Sequence, residues 1–419
     1  MITCDAIEYF QETAQYILEK CRIEKWIIMD GKKCNVTLRV PSGDMKYHSF
    51  WVRDASMMAS SGLIPPEEIR GWLRLIASAQ NGMKNRILEN GLQIPSWSIP
   101  DHINFDGKPV FYPGTYESGA DQGAGHFGYY PPHDDAYYFI ELAYQYLIQS
   151  GDQTIFQEQT DGVTLLERLE KACISCNIDP DSQLCCSKMP NYTVDWGFCD
   201  QIVKSGYLLF PSLLRRQAAL QFAYIFTQLG DVVRTSYYLE LAGKIKSGIL
   251  QNLTEGNGWF LSSTEICRQK DVWGTAFAVW TGLLEGDLLQ RSLQVLAEAF
   301  KAGRAVAHGY VRQILEGEEA AAGKTAWEKT ECPFNTYQNG GYWTTPSGWY
   351  IYALYQHDPE LARLMIQQLK DHSCVHAADG APYEWMSRDG SVVSGRMYGA
   401  SATLPFVAVK RIAQEEKPS

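Results

Sequence analysis

Apolar positions along the chain recur with a helical period, and short polar turns interrupt them. Segments such as DDAYYFIELAYQYLI and GTAFAVWTGLL are apolar on nearly all sides, which is typical of helices buried all round. Others, such as PPEEIRGWLRLIASAQ, carry charge on one side and are expected to lie half exposed. The two kinds alternate and predict twelve helices, at 5–21, 50–61, 66–81, 134–150, 153–176, 211–229, 232–252, 272–284, 287–302, 346–356, 359–371 and 399–413.

Five short turns join these helices in pairs: Ser61-Gly62, Gly151-Asp152, Gly230-Asp231, Gly286-Asp287 and His357-Asp358-Pro359. Glycine tolerates the left-handed conformation that ends a helix, and aspartate caps the next helix by accepting its free N–H groups. Each turn therefore predicts a helical hairpin. Alternating buried and half-exposed helices in hairpins predict an all-α fold, an (α/α)6 toroid or six-hairpin barrel, as one domain over residues 1–419.

The connections from each half-exposed helix to the next buried helix are long. They cover 22–49, 82–133, 177–210, 253–271, 303–345 and 372–398. Because the short turns occupy one face, all six long loops are expected on the other face, where they leave room for short β-hairpins. Long loops in a compact domain usually carry function. We therefore expect the functional site at the N-terminal ends of the buried helices, where the helix dipoles are positive.

Composition and charge exclude several classes of protein. Apolar residues make up 45% of the chain and charged residues 20%, enough for a large core. Forty-eight acidic against 37 basic residues leave a net charge of −11, which argues against a nucleic-acid partner. No stretch approaches the roughly 20 apolar residues that span a bilayer, so no membrane association is expected. A neutral or cationic substrate fits this balance better than an anionic one.

The N-terminal residues and the cysteines suggest a cytoplasmic protein. Residues 1–21 interleave acidic and apolar residues and do not form a secretory signal. Eleven cysteines, without the spacing of a disulfide framework, suggest reduced thiols. Cys173, Cys176, Cys185 and Cys186 are close in sequence, but no pair of histidines accompanies them. We therefore predict neither a metal nor a cofactor.

Aromatic residues reach 12% of the chain, and many fall in the glycine-rich loops. Such residues could pack small cores inside large loops, or they could form platforms for a flat-faced ligand such as a sugar. The loop residues that we weigh as stacking candidates are Trp51, Trp196, Tyr342, Trp343 and Trp385.

Three stretches resemble the six-hairpin glycosidases, the group of glucoamylase-like, trehalase-like, processing-glucosidase-like and rhamnosidase-like enzymes. FWVRDASMMA (50–59) resembles their Trp-x-Arg-Asp signature at the second helix. NTYQNGGYWTTPSGWYIYAL (335–354) resembles the run before their tenth helix, and PYEWMSRDGSVVSGRMYGASATLPFV (382–407) resembles their final loop and helix. The resemblance implies a glycoside hydrolase that acts on a carbohydrate, with inversion as its usual outcome.

Glycoside hydrolysis needs one carboxylic acid to protonate the leaving oxygen and one carboxylate to activate water. In the six-hairpin group the acid usually precedes the sixth helix and the base precedes the twelfth. The first loop, PNYTVDWGFCDQIVKSG, offers Asp195 and Asp200. The last loop offers Asp379, Glu384 and Asp389, but Asp379 and Asp389 stand in Asp-Gly pairs, which more often mark turns. We favour Asp195 as general acid because its neighbours Val194 and Trp196 are apolar, with Asp200 as the alternative and Glu384 as general base. Each of them could instead cap or solvate the loop backbone.

Further polar residues are candidates for substrate binding. By resemblance Arg53 and Asp54 bind sugar hydroxyls; alternatively they form a structural ion pair at the start of their helix. Asp134 and Asp135 open the fourth helix, one as its expected cap and the other within reach of the sugar. Glu117 and Asp121, in YESGADQG, resemble a Glu-Ser-Gly-x-Asp phrase of trehalase-like enzymes. In this chain the phrase lies one hairpin earlier than the phrase that carries the acid in those enzymes. We therefore interpret Glu117 and Asp121 as substrate-loop residues.

Other classes of protein remain open. A sugar epimerase on the same toroid would need paired histidines, and His308, His372 and His376 do not form a matching pair at buried-helix positions. A polysaccharide lyase would need basic residues for a uronate. A non-catalytic glycan-binding protein would keep the aromatic residues and lack the carboxyl pair. The favoured hypothesis is an inverting hydrolase that acts on a neutral oligosaccharide or small glycoside.

Overall fold

The computed structural model describes residues 4–29, 31–87, 91, 93–111, 130–188, 192–318, 327–377 and 379–417. These residues form twelve α-helices: α1 (Cys4–Cys21), α2 (Val52–Ala59), α3 (Pro66–Ala79), α4 (Asp135–Ser150), α5 (Leu165–Ser175), α6 (Leu209–Gln228), α7 (Val232–Asn252), α8 (Val272–Trp280), α9 (Gly286–Lys301), α10 (Ser347–His357), α11 (Pro359–His376) and α12 (Gly399–Glu415). The hydrophobic pattern predicted each of them, most to within a few residues at each end.

The long loops contain short antiparallel strands. They are β1 (Arg22–Met29), β2 (Lys32–Arg39), β3 (Ser49–Trp51), β4 (Arg86–Ile87), β5 (Gln93–Ile94), β6 (His102–Asn104), β7 (Pro109–Val110), β8 (Gln159–Thr160), β9 (Val163–Thr164), β10 (Cys186–Ser187), β11 (Gly206–Tyr207), β12 (Val306–Ala307), β13 (Tyr310–Arg312), β14 (Tyr342–Trp343), β15 (Trp385–Met386) and β16 (Val393–Ser394). Two single turns of 3₁₀ helix, Thr154–Gln157 and Gly197–Cys199, complete the elements.

The chain divides into two compact units. The first comprises Met1–Cys21, Pro41–Lys46 and Leu253–Ser419, and the second comprises Arg22–Val40 and Tyr47–Asn252. We describe each unit by itself. A single domain over 1–419 stays a prediction.

In the second unit, α2 packs against α4, and α4 packs against α6. Every residue of α2 is buried, as are most residues of α4 and α6. Their partners α3, α5 and α7 bury only one face. This is the alternation that the hydrophobic pattern predicted, and it follows because a helix that is apolar all round must be covered on all sides.

In the first unit, α10 contacts α8, α9, α11 and α12, and α1 packs on α12. A five-stranded antiparallel sheet in the order β12-β13-β14-β15-β16 ties two long loops of this unit together. Trp343 of β14 pairs with Trp385 of β15 in its register. The sheet brings together the loops that precede α10 and α12.

The segment 153–176 differs from its prediction as one helix. The chain forms a 3₁₀ turn and the hairpin β8–β9 before α5 begins at Leu165. Asp161 and Gly162 form the hairpin turn with positive φ angles of 50° and 75°. The side chain of Thr164 accepts a hydrogen bond from the Glu167 backbone N–H, and Glu167 bonds back to Thr164. This capping box marks the true start of the helix.

None of the helices formed by the described residues is long and apolar enough to cross a membrane.

Candidate functional site

Arg53 lies in the first turn of α2 and is buried among three carboxyl groups. Its Nε donates to Asp134 Oδ2 at 2.5 Å, and its Nη2 donates to Asp101 Oδ1 at 3.0 Å and to Asp135 Oδ1 at 3.3 Å. Burial opposes the charged guanidinium, but Asp134, Asp135 and Asp101 outweigh burial and raise the pKa of Arg53 well above its ordinary value. Arg53 thus forms ion pairs with Asp101, Asp134 and Asp135 instead of with its neighbour Asp54. Sugar binding by Arg53 and Asp54 stays a prediction.

The single positive charge of Arg53 cannot neutralise three negatively charged carboxylates at once. Burial raises the pKa of Asp101, but Arg53 and His102 outweigh it, and the pKa falls below its ordinary value. The pKa of Asp135 rises well above its ordinary value because burial and the neighbouring charges of Asp134, Asp101 and Asp54 outweigh Arg53. The shift favours the protonated form of Asp135, in which its carboxyl group can donate a hydrogen bond.

The expected cap of α4 is absent. Asp134 occupies the N-cap position, but its side chain makes no capping hydrogen bond. Instead it accepts from Arg53 and from the backbone N–H of Gly197 at 3.3 Å. A Cβ atom on Gly197 would lie 1.8 Å from Cζ of Arg53. The loop before α6 can therefore approach Arg53 only with glycine at this position.

Asp195 is buried, but its surroundings differ from the prediction. One carboxylate oxygen, Oδ2, forms an ion pair with the ammonium of Lys204, which is itself buried. The other oxygen, Oδ1, has no hydrogen-bond partner among the described residues. The sequence predicted an apolar setting from Val194 and Trp196, and the structure places a buried cation there instead. Lys204 is nine residues away along the chain, so the immediate neighbours of Asp195 do not indicate the pair.

Two further candidates lie in the same loop. Asp200 is buried and follows the 3₁₀ turn Gly197–Cys199. Trp196 is buried too; its indole N–H donates to the Tyr138 hydroxyl at 3.1 Å, and its ring stacks on Phe210. Trp196 therefore packs this loop against α4 and α6. A stacking role on a sugar stays a prediction.

Glu384 precedes β15 in the first unit and is 2% exposed. Its backbone N–H lies 3.1 Å from the Ser394 carbonyl oxygen and 2.9 Å from that of Gly395, and its own carbonyl accepts from the Thr344 N–H. A Cβ atom on Gly395 would lie 2.2 Å from Cβ of Glu384. These contacts fix the backbone and the Cβ atom of Glu384, from which its carboxyl group extends.

The aromatic candidates are mostly enclosed. Trp343 is fully buried, donates its indole N–H to the Tyr337 carbonyl at 3.0 Å and meets Trp273 edge to face. Tyr342 is buried beside it, and Trp385 is 9% exposed. In the second unit Trp51 stacks on His102 at 4.4 Å between ring centroids. Packing accounts for these contacts, and sugar stacking by any of the four rings stays a prediction.

Sequence reasoning missed Asp101, His102 and Lys204. Asp101 reaches Arg53 across 48 positions of sequence, and its second oxygen lies 2.8 Å from His102 Nδ1. Nothing in the local pattern singles these residues out. Glu117 and Asp121, which we interpreted as substrate-loop residues, lie outside the described residues. Asp54 is buried in the first turn of α2, as expected for a residue that opens this helix.

Comparison with known proteins identifies the fold. No protein-family model and no curated protein matches the chain. A glucoamylase from Saccharomycopsis fibuligera superposes with a TM-score of 0.59 at 11% identity, over 100% of this chain and 98% of that one. A glycosidase superposes with a TM-score of 0.62 at 10% identity, over 99% of both chains. A rhamnosidase from Klebsiella oxytoca with rhamnose bound gives 0.59 at 13% identity, over 99% of this chain and 65% of that one.

These likenesses confirm the fold class that the sequence predicted. They span nearly the whole chain and include proteins of the group that the three sequence stretches resemble. The chain has the (α/α)6 toroid fold of the six-hairpin glycosidases.

Proposed function

We propose that the chain is a glycoside hydrolase that cleaves a glycosidic bond with two carboxyl groups and inverts the anomeric centre. The supporting observation is the occurrence of buried carboxyl groups on two loops of a glycosidase fold. Asp195 and Asp200 precede α6, and Glu384 precedes α12. Burying a carboxyl group costs free energy, so three buried carboxyl groups on two loops suggest selection for chemistry.

The roles of the carboxyl groups as general acid and general base follow from the chemistry of the reaction. A general acid must carry a proton to the leaving oxygen, and a general base must take one from water. We assign Glu384 as the base and a residue of the loop before α6 as the acid. Asp195 is our first choice, and Asp200 is the alternative because Lys204 places a cation directly against Asp195.

A neutral oligosaccharide or small glycoside is the proposed substrate class. Three carboxyl groups already engage Arg53, which disfavours its use to bind the carboxylate of a uronate. The net charge of −11 disfavours anionic substrates as well. The reduced-thiol argument from the sequence makes the cytoplasm the proposed location.

A panel of aryl α- and β-glycosides tests this function. We expect the full chain to release the aryl group from at least one member, and the Glu384→Gln variant to release none because the base is gone. Glu360→Gln is the matched control, since Glu360 is exposed in the first turn of α11. If no aryl glycoside or natural disaccharide is cleaved while sugars still raise Tm, the chain is a glycan-binding protein and the proposal fails.

A further inference from the structure

The second unit contains a cavity of about 260 Å³. It lies where the loops before α4 and α6 meet the C-terminal end of α5, and its lining includes Ser98, His133, Asp135, Tyr192 and Thr193. Among the described residues of this unit, none of Arg53, Asp54, Asp195 and Asp200 lines it. The acid candidates and the cavity therefore use different side chains of the same loops.

Three residues of this lining carry a buried polar atom without a hydrogen-bond partner among the described residues. The atoms are Asp135 Oδ2, His133 Nδ1 and Thr193 Oγ1. An unpaired buried donor or acceptor costs about 1–3 kcal/mol, and such atoms are rare in folded proteins. Three residues with such atoms line one cavity, which favours a cavity that accepts a group able to pair with them.

The protonation states of these residues define what that group must be. His133 Nε2 lies 3.2 Å from the Cys186 carbonyl oxygen, which can only accept, so Nε2 carries the hydrogen and Nδ1 is an acceptor. Burial lowers the pKa of His133 to about 4, so the ring is neutral at pH 7. The raised pKa of Asp135 favours its protonated form, in which the carboxyl group is a donor. The Thr193 hydroxyl can donate or accept.

A donor, an acceptor and a hydroxyl without net charge match a ligand with neighbouring hydroxyl groups. Tyr192, which stacks on Tyr130 at 5.2 Å, and Phe111 give the cavity apolar walls for the carbon faces of such a ligand. The cavity volume falls just below the roughly 300–1,000 Å³ of drug-sized ligand sites, so the ligand must be small.

We propose that this cavity is a binding site for a neutral polyhydroxy compound, a free monosaccharide or a smaller polyol. This assignment does not depend on the hydrolase proposal, since it uses only the second unit and none of the candidate acids. It gives Asp135 a second task beside its ion pair with Arg53: Oδ1 faces the guanidinium, and Oδ2 pairs with the ligand.

Titration calorimetry with D-glucose, L-rhamnose and glycerol on the full chain tests the site. Thr193→Val removes one hydroxyl and keeps the side-chain shape, and we expect Kd for the best probe to rise on the order of tenfold. Ser98→Phe fills the cavity, and binding should disappear. The matched control is Thr160→Val, because Thr160 lines a separate cavity of the same unit and Kd should not change.

The outcomes separate this site from the catalytic proposal. If none of the probes binds, or if Kd is the same in Thr193→Val, Ser98→Phe and the parent, the cavity is not a ligand site. Aryl-glycoside release is measured in the same variants. Release that persists while sugar binding is insensitive to both variants overturns this inference alone. Sugar binding that depends on Thr193 in a chain without release overturns the hydrolase proposal alone.

Discussion

Lys204 and Asp195 form an ion pair in which both side chains are 1% exposed. Charges so deeply buried are tolerated only when each compensates the other. The pair fixes the carboxyl group that is our first choice for the general acid. The position of the Asp195 carboxyl group in the loop before α6 therefore depends on Lys204, which the sequence analysis did not identify.

Replacing Lys204 by Met should destabilise the chain strongly. The substitution leaves the Asp195 carboxylate buried without its cation, and we expect a loss of about 3–5 kcal/mol in the free energy of unfolding. Chemical denaturation followed by circular dichroism measures it. Lys244→Met is the control, because Lys244 pairs with Glu240 at the exposed surface, and its loss should be barely measurable. Equal effects of the two substitutions would contradict a buried pair.

Sequence reasoning identified single residues where they open a helix or stand in a loop with an unusual composition. Arg53, Asp54, Asp134 and Asp135 were found because they follow long loops and start buried helices. Asp101 was missed because its partner Arg53 is distant in sequence and only folding brings the two together. A single sequence carries periodicity along the chain but no information about which distant charges meet.

At the scale of elements, the helices could be predicted because burial imposes a period on every one of them. Short β-hairpins in the long loops were expected, but the positions of the strands could not be predicted, since most strands contain two or three residues and two residues cannot show alternation. The same limit applies to α5, where the hairpin β8–β9 interrupts a run that is otherwise compatible with a helix. Only the Thr164–Glu167 capping box marks the boundary.

The 3₁₀ turn that begins at Gly197 offers a test at this scale. Gly197→Ala would place a Cβ against the guanidinium of Arg53, which three carboxyl groups hold in place. We expect the overpacking to lower the free energy of unfolding by about 1–3 kcal/mol. The control is Gly243→Ala in the exposed middle of α7, where a Cβ meets nothing within 4 Å.

The Gly243→Ala control should change the free energy of unfolding in the opposite direction. Alanine is favoured over glycine inside a helix by about 0.5–1 kcal/mol, so Gly243→Ala should stabilise the chain. A Gly197→Ala variant as stable as the parent, measured by the same denaturation assay, would show that the loop does not press on Arg53.

Two buried histidines make the free energy of unfolding of the whole molecule depend on pH. Burial lowers the pKa of His133 from 6.5 to about 4, and burial together with His308 and His376 lowers that of His372 to about 4. Between pH 6.5 and 4 the unfolded chain binds protons at these positions that the folded chain does not bind. Stability is therefore complete above about pH 7 and falls through this window.

Tm measured from pH 7.5 to 4 checks this dependence. His372→Gln removes one of the two groups, so the Tm of the variant should fall less steeply than that of the parent between pH 6.5 and 4. His357→Gln is the control, since His357 is exposed at the end of α10, and its curve should follow that of the parent. If the His372→Gln curve is also parallel to the parent curve, the buried histidine is not the acid-sensitive group.

The fold of the whole molecule could be predicted from the alternation of buried and half-exposed helices, and the solved structures confirm it. The proposed reaction rests on fewer residues, and the most direct test addresses them together. The best aryl glycoside from the panel is given to the parent, Asp195→Asn, Asp200→Asn and Glu384→Gln, and proton NMR follows the anomer of the fresh product. We expect inversion by the parent, almost complete loss of turnover in Glu384→Gln and in one of the two Asp variants, and substantial turnover in the other. Retention of configuration, or full turnover in Glu384→Gln, would contradict an inverting hydrolase with Glu384 as its base.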